Sequence, residues 1–306
     1  MPEVEFEVGH TLAGERLDRA LALVAAIERS VVVTAIAQGR VLVNGLPESK
    51  KARRLVAGDR VAASWDAPGA PPPPPVAPTI RWEDEDLVIV AKPAGLLTHR
   101  THPRDERPSV ADWARARFPE LEQLAGDQLR RGIVHRLDLG TSGLVVLARS
   151  AVARERLEAM VAHHEMERRY LALVRGAAPS RARIDAPLGR DLRDPTRMSV
   201  VLAGKPAVTL LERCWAGPDT SLVELTLQTG RTHQIRVHLA AIGHGIVGDA
   251  RYGVTLPELD RPFLHAWRLS LMHPRTGKYI EVQDPLPREL AALAERARSS
   301  PILRGA

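Results

Sequence analysis

Residues 131–150 read RGIVHRLDLGTSGLVVLARS, and the reading of this stretch decides the fold. Ile133-Val134 is a short apolar lead-in, His135-Arg136-Leu137-Asp138 is a polar cluster, and Gly140-Thr141-Ser142-Gly143 makes a turn. The run from Leu144 to Ala148 is continuously apolar, which predicts a strand buried on both faces. A carboxylate flanked by a histidine and an arginine, on a tight loop feeding such a strand, is held rigidly beside the core. Catalytic groups are often placed that way. From these residues alone, an ordinary Asp-containing turn is an equal alternative.

Composition narrows the classes. The chain has 306 residues, enough for two domains or one large one with a real core. Charged residues make up 26% and hydrophobic ones 44%, as in soluble globular proteins. Lys+Arg 43 against Asp+Glu 37 leaves a net charge of +6, which fits a nucleic-acid partner without demanding one. A single cysteine, Cys214, excludes an internal disulfide and a Cys-based zinc site, and is expected to be buried. The opening MPEVEFEVGHTLAG lacks the basic and apolar regions of a secretory signal. No apolar run approaches the ~20 residues of a membrane span, so no membrane partner is expected and the cytoplasm is the expected location.

Upstream, residues 16–63 read as a small unit. Arg16-Leu17-Asp18 opens a helix with Leu21, Leu23 and Val24 on its apolar side, and a second helix over 30–38 has Ser30 as its cap and Gly39 as its stop. Val41-Leu42-Val43 is a strand, Asn44-Gly45 a hairpin turn, and Gly58-Asp59 another turn. This order resembles the S4 RNA-binding domain. It departs from S4 in the second helix, where Arg29 is the only cation beside Glu28. Lys50, Lys51, Arg53, Arg54 and Arg40 remain as phosphate contacts, with a solvated basic loop as the alternative. The segment PGAPPPPPVAP cannot form a helix or a central strand and predicts an extended spacer. The expected domains are 1–66, a linker over 67–80, and 81–306.

Downstream, WEDEDLVIVA is an acidic turn before a buried strand, ended by Lys92-Pro93-Ala94-Gly95. Residues 151–164 form a helix, and RRYLALVRG is a strand stopped at Gly176, with Tyr170 a core residue by spacing alone. The arginines of IDAPLGRDLRDPTRMSVVLAGKPAVT line a phosphate path or face solvent. In RTHQIRVHLAAIG, Ile235, Leu239 and Ile242 mark an amphipathic helix over 231–243, stopped by Gly243. That places Arg231 at a helix N-terminus, where a cation is disfavoured unless an anion compensates it, and Asp138 is the natural anion.

HRLD with TSGL, RYLALVRG and GRTHQIR, in that order, resemble the motifs of RluA-type pseudouridine synthases over about residues 82–290. The resemblance implies an α+β fold: a mixed, mainly antiparallel central sheet with flanking helices, plus the small α/β S4-like N-terminal domain. It implies isomerisation of uridine to pseudouridine in RNA, ribosomal RNA before tRNA, by a monomer without metal or other cofactor. Asp138 becomes the nucleophile or general base, Tyr170 the residue that stacks on the target base, and Arg231 the partner of Asp138. Arg136 is expected to fill the space left in the RNA, with His135 beside it at the substrate. The extruded base costs a few kcal/mol of unstacking. The sequence departs from the family at Leu139-Gly140, where a Lys-Asp pair is common. A non-catalytic RNA-binding protein is the alternative from another class. A two-carboxylate glycosidase is the other, but no second acid lies in these motifs.

Overall fold

The structure, a computed structural model, describes residues 3–303 other than 26, 28, 66–76, 103, 104, 125 and 126. The chain divides into two units, Met1–Pro74 and Pro75–Ala306. Most of the proline segment lies outside the described residues.

The first unit contains β1 (Glu3–Glu7), α1 (Leu17–Val24), α2 (Arg29–Ala37), β2 (Val41–Val43), β3 (Leu46–Pro47) and β4 (Arg60–Ser64). Its strands form an antiparallel sheet in the order β1-β4-β2-β3. The β2–β3 hairpin turns on Asn44 and Gly45, with φ of 54° and 79°. Two positive φ values are what a two-residue turn needs to follow the twist of its strands. Helix α1 buries Leu17, Ala20 and Leu21, spaced as one helical stripe. Leu23 and Val24, expected on that side, are instead exposed: Leu23 lies off the stripe and Val24 is the last helical residue. Helix α2 starts at Arg29, one residue before the expected start, so Ser30 lies within the helix. Buried Asp18 receives Arg16 at 3.0 Å and Arg29 at 2.9 and 2.5 Å, which ties the one cation at the head of α2 inward.

The second unit begins with β5 (Thr79–Glu83), so residues 79 and 80 belong to a strand rather than to the linker. There follow β6 (Leu87–Lys92), α3 (Val110–Arg117), β7 (Ser142–Ala148), α4 (Ala151–Ala162), β8 (Glu167–Arg175) and β9 (Arg181–Asp185). Next come β10 (Leu188–Arg190), β11 (Met198–Val200), β12 (Val208–Ala216), β13 (Thr220–Leu227) and α5 (Gln234–Ala241). The last elements are β14 (Leu264–Met272), β15 (Tyr279–Gln283) and α6 (Arg288–Ser299). A nine-stranded sheet runs β5-β6-β7-β14-β8-β13-β12-β9, with β15 added on β14. Its pairings are antiparallel except for β7 with β14. The expected α+β fold with a mixed, mainly antiparallel sheet is present.

Strand β7 explains why the fold centres here. All seven of its residues are buried, and they alternate between two cores. Val145 and Leu147 join the cluster with Phe118, Tyr170 and Leu225, while Leu144, Val146 and Ala148 join the one with Leu157, Met166 and Leu269. Each large side chain so buried contributes on the order of 1.5–3 kcal/mol. Gly143 sits at φ 115°, and a Cβ there would lie 2.2 Å from the Ala266 carbonyl oxygen. Only glycine lets β7 and β14 approach at this point. Ser109 and Ser150 cap α3 and α4 by accepting from Asp112 and Ala153 backbone N–H groups. Cys214, expected to be buried, is exposed on β12, where the pairing with β13 slips between Arg213 and Trp215.

Candidate active site

The loop before β7 is clamped on both sides of Asp138. Leu137 exchanges two hydrogen bonds with the Thr98 hydroxyl: its N–H donates at 3.1 Å and its carbonyl accepts at 2.9 Å. The Leu139 carbonyl accepts from the Gly95 N–H at 2.9 Å and from Lys92 Nζ at 3.4 Å. Lys92 is buried, and its Nζ also donates to the carbonyls of Pro93 at 3.0 Å and Leu96 at 2.8 Å. Three carbonyls match the three donors of an ammonium group. The KPAG motif therefore acts as a brace for the loop, as a structural role for it requires. Burial pulls Lys92 down to about 7, with Asp138 opposing this and Arg261 adding to it.

Above this brace lies a cleft of about 540 Å³. Its wall includes His135, Arg136 and Asp138 from the loop, Arg168 and Tyr170 from β8, and residues 230–236 from the turn and first residues of α5. Asp138, Tyr170, Arg231, Arg136 and His135 are thus brought to one cavity from segments far apart in the chain. Lys50, Lys51, Arg53 and Arg54 belong to the other unit.

The partner of Asp138 differs from the expected one. Arg236 Nη1 donates to Asp138 Oδ2 at 3.3 Å. Arg231 points elsewhere: its Nε donates to the Pro206 carbonyl at 3.0 Å and its side chain is exposed. The reason is local. The helix expected over 231–243 begins at Gln234, and His233 before it adopts φ 56°. That left-handed residue swings Arg231 out of helical register. Arg236, on the first turn of α5, faces the cleft instead. The Gln234 side chain secures the turn by accepting from the Arg231 N–H at 3.0 Å.

Arg236 is itself fixed by a residue that sequence reasoning missed. Asp249, almost fully buried, accepts from Arg236 Nε at 2.7 Å and Nη2 at 2.9 Å. Burial works against the Arg236 charge, but Asp249 and Asp138 outweigh it and hold the guanidinium above its ordinary value. Burial likewise opposes the Asp249 charge, and Arg236 overrides it, keeping the carboxyl below its usual range. Tyr252 lies under this pair, 5.0 Å from the Arg236 guanidinium, and its hydroxyl is 3.0 Å from His233 Nδ1. His233 Nε2 stands 3.9 Å from Asp138 Oδ2. The sequence signal for Asp249 and Tyr252 was the GDARYG turn, whose glycines concealed two polar residues aimed back at α5.

Asp138 is partly exposed to the cleft, and its Oδ1 has no hydrogen-bond partner among the described residues. One carboxylate oxygen is anchored, the other is not, and the residue lines the cavity. Tyr170 is buried beside it on β8, and burial raises its hydroxyl above the ordinary value, with Arg168 opposing and Asp138 reinforcing. His135 is held by its Nε2, which accepts from the Val146 N–H at 3.1 Å. Burial and then Arg168 pull it down to about 3, so it is neutral. Arg136 is exposed on the cleft wall.

Among the described residues, Asp84, Asp86 and His273 form a group of metal-ligating types. His273 Nδ1 already accepts from the N–H groups of Arg275 and Thr276, so its proton is on Nε2, which donates to Asp84 at 3.0 Å. The His273 ring therefore has no lone pair left for an ion, and the group is held by the hydrogen bond to Asp84 and by the Arg275–Asp86 ion pair.

The cleft thus gathers one carboxylate, anchored by a buried Arg–Asp pair, beside a buried tyrosine. Comparison with known proteins makes this specific. The RNA pseudouridylate synthase family matches residues 86–241. The chain is 37% identical to a ribosomal large subunit pseudouridine synthase D of Nitrosomonas europaea, over 97% of this chain and 89% of that protein. It is 42% identical to a protein of Chloroflexus aurantiacus named an uncharacterized RNA pseudouridine synthase, over 92% and 89% of the two chains. The solved structure of human RNA pseudouridylate synthase domain containing 1 superposes with a TM-score of 0.55 at 27% identity, covering 76% of this chain and 100% of that one. The chain belongs to the RNA pseudouridine synthases of the RluA type, isomerases that convert uridine to pseudouridine in RNA.

Proposed function

We propose that the cleft at Asp138 is the catalytic centre and that its target is a uridine of large-subunit ribosomal RNA. The single observation that carries the first half is the half-anchored carboxylate: Arg236 holds Oδ2 at 3.3 Å, no described residue bonds Oδ1, and Asp138 lines the cavity. Isomerisation breaks the N–C glycosidic bond, turns the base and rejoins it through carbon. A carboxylate beside the sugar serves as nucleophile or general base in that sequence. Tyr170 supplies a flat apolar surface for the extruded base, and Arg136 on the rim is placed to enter the gap in the RNA. The second half rests on the name of the Nitrosomonas relative.

In this reading the first unit adds affinity through phosphate contacts by Lys50 and Lys51, whose side chains are exposed. Arg53 is less free than its sequence position implies, because it bridges Glu48 at 2.9 Å and Asp59 at 3.8 Å. Arg54 donates to the Gly14 carbonyl at 2.7 Å. No helix among the described residues is long and apolar enough to cross a membrane. The enzyme is expected to work as a monomer in the cytoplasm.

The test is a map of pseudouridines in cells lacking the protein, complemented with native enzyme or Asp138→Asn. Loss of one or more large-subunit sites, restored by native enzyme alone, is the expected result. Loss confined to tRNA overturns the target. Restoration by Asp138→Asn overturns the site, because asparagine keeps the shape but cannot act as nucleophile or base.

A further inference from the structure

Among the described residues, Arg168 is a buried cation without a counter-ion. It sits on β8 two residues before Tyr170, so both side chains leave the same face of the strand, and both line the cleft. The residue is 6% exposed. Its Nε is buried with no hydrogen-bond partner, and no carboxylate of the described residues lies within ion-pair distance. Asp138, which lines the same cavity, is held by Arg236.

Such an arrangement is expensive unless something completes it. An uncompensated buried charge costs several kcal/mol, and buried arginines are nearly always paired. The other cleft arginines have partners or solvent: Arg130 faces Asp127, Arg231 reaches Pro206, and Arg136 is exposed. The protein also makes room for this guanidinium. Gly230 packs against it so closely that a Cβ there would lie 2.9 Å from Arg168 Nη1. The cavity therefore presents a planar cation, screened from bulk water, next to the surface on which the target base would lie.

We infer that Arg168 is a phosphate-binding residue that grips one of the two phosphodiesters flanking the target uridine. Consecutive same-face residues of a strand stand roughly 7 Å apart, the order of distance between a base and the phosphates of its own nucleotide. A base on Tyr170 thus brings a phosphodiester to Arg168. A guanidinium matches two phosphate oxygens in a fork, and an anion, unlike a uracil carbonyl, neutralises the charge. The contact forms only once the nucleotide has left the helix, so it favours the flipped state. This inference deepens the catalytic reading of the cleft and rests on it.

The test uses RNA carrying the uridine found by mapping, whichever RNA that is. The 5′- or the 3′-phosphodiester of that uridine is replaced by a neutral methylphosphonate, and dissociation constants are measured for native enzyme, Arg168→Met and Arg168→Lys. In native enzyme, one of the two replacements weakens binding roughly 10- to 100-fold, the range of a charge-assisted hydrogen bond. Arg168→Met binds unmodified RNA more weakly by a similar factor and is indifferent to that same replacement. Arg168→Lys recovers part of the loss. An equal loss in native and Met enzymes, or no loss in native enzyme at either position, overturns the proposal. Thermal unfolding separates a structural arginine. Removing an unpaired buried charge leaves Tm unchanged or raises it, and a Tm several degrees lower in Arg168→Met overturns the proposal as well. Turnover by Asp138→Asn would remove the catalytic reading of the cleft without altering the methylphosphonate result.

Discussion

Arg236 holds Asp138 and Asp249 at once, reaching Asp138 Oδ2 with Nη1 at 3.3 Å and Asp249 with Nε and Nη2 at 2.7 and 2.9 Å. The bidentate side faces the buried Asp249, and the single bond faces the cleft. Asp249 thus fixes the guanidinium plane, and the plane fixes where Asp138 points. Arg236→Met is expected to lower the single-turnover rate by at least ~10²-fold through lost positioning, and Arg236→Lys to recover only part. Arg231→Met, which removes an exposed contact to a carbonyl, is expected to change the rate only a few-fold. A larger loss in Arg231→Met than in Arg236→Met would return the pairing to Arg231.

Asp249 never touches the cleft carboxylate, so its variant separates positioning from chemistry. Asp249→Asn removes one of the two Asp249 oxygens that accept from the buried guanidinium, and breaking a buried pair costs about 3–5 kcal/mol. The folded carboxyl sits below its ordinary value, so its contribution is fully present above about pH 4 and lost as pH falls. Urea unfolding from pH 7 to pH 3 should show native stability declining more steeply than that of Asp249→Asn. Parallel declines would mean that the pair adds nothing to the acid limb.

Lys92 acts in the same sense at the other end of the pH range. Its folded value is lowered from 10.5 to about 7 by burial. Below pH 7 folded and unfolded chains both carry the proton, so the group contributes no slope. Between about pH 7 and 10.5 the unfolded chain binds more of it, and stability rises with pH by up to about 1.4 kcal/mol per unit. Lys92→Met lacks that rise. Its turnover is also expected to fall, because the Leu139 carbonyl beside Asp138 loses a donor. Equal pH slopes for the two proteins at alkaline pH would show that Lys92 is not a buried titrating group.

Phosphate contact by the first unit predicts a salt effect rather than a rate effect. Lys50→Ala and Lys51→Ala should each reduce the slope of log affinity against log salt by ~0.7–0.9. Arg53→Ala is expected to lower stability more than it lowers the slope, since that side chain is committed to Glu48 and Asp59. An unchanged slope in a Lys50→Ala/Lys51→Ala double variant would show that this loop makes no contact with RNA.

The residues of 131–150 foretold much of what was found. The apolar run became β7, buried on both faces, and Asp138 lies on the braced loop before it. The Asn44-Gly45 hairpin was equally legible. The hairpin and the apolar run depend on neighbours within a few positions, where steric preference and hydrogen bonding act directly along the chain.

The arginine that pairs with Asp138 was not legible. RTHQIR offers two arginines, and the choice turns on His233 adopting φ 56° and delaying the helix to Gln234. Nothing in the local pattern marks that residue as left-handed. Asp138 and Arg236 are 98 positions apart, and Asp249 meets Arg236 from a turn whose composition reads as structural. The unpaired state of Arg168 is likewise a property of everything around it. The sequence by itself determined which groups the chain carries and which strand holds the carboxylate beside the core. Only the tertiary structure decided which cation faces it and which is left without an anion, because ion pairing depends on distances in space that local propensity does not set.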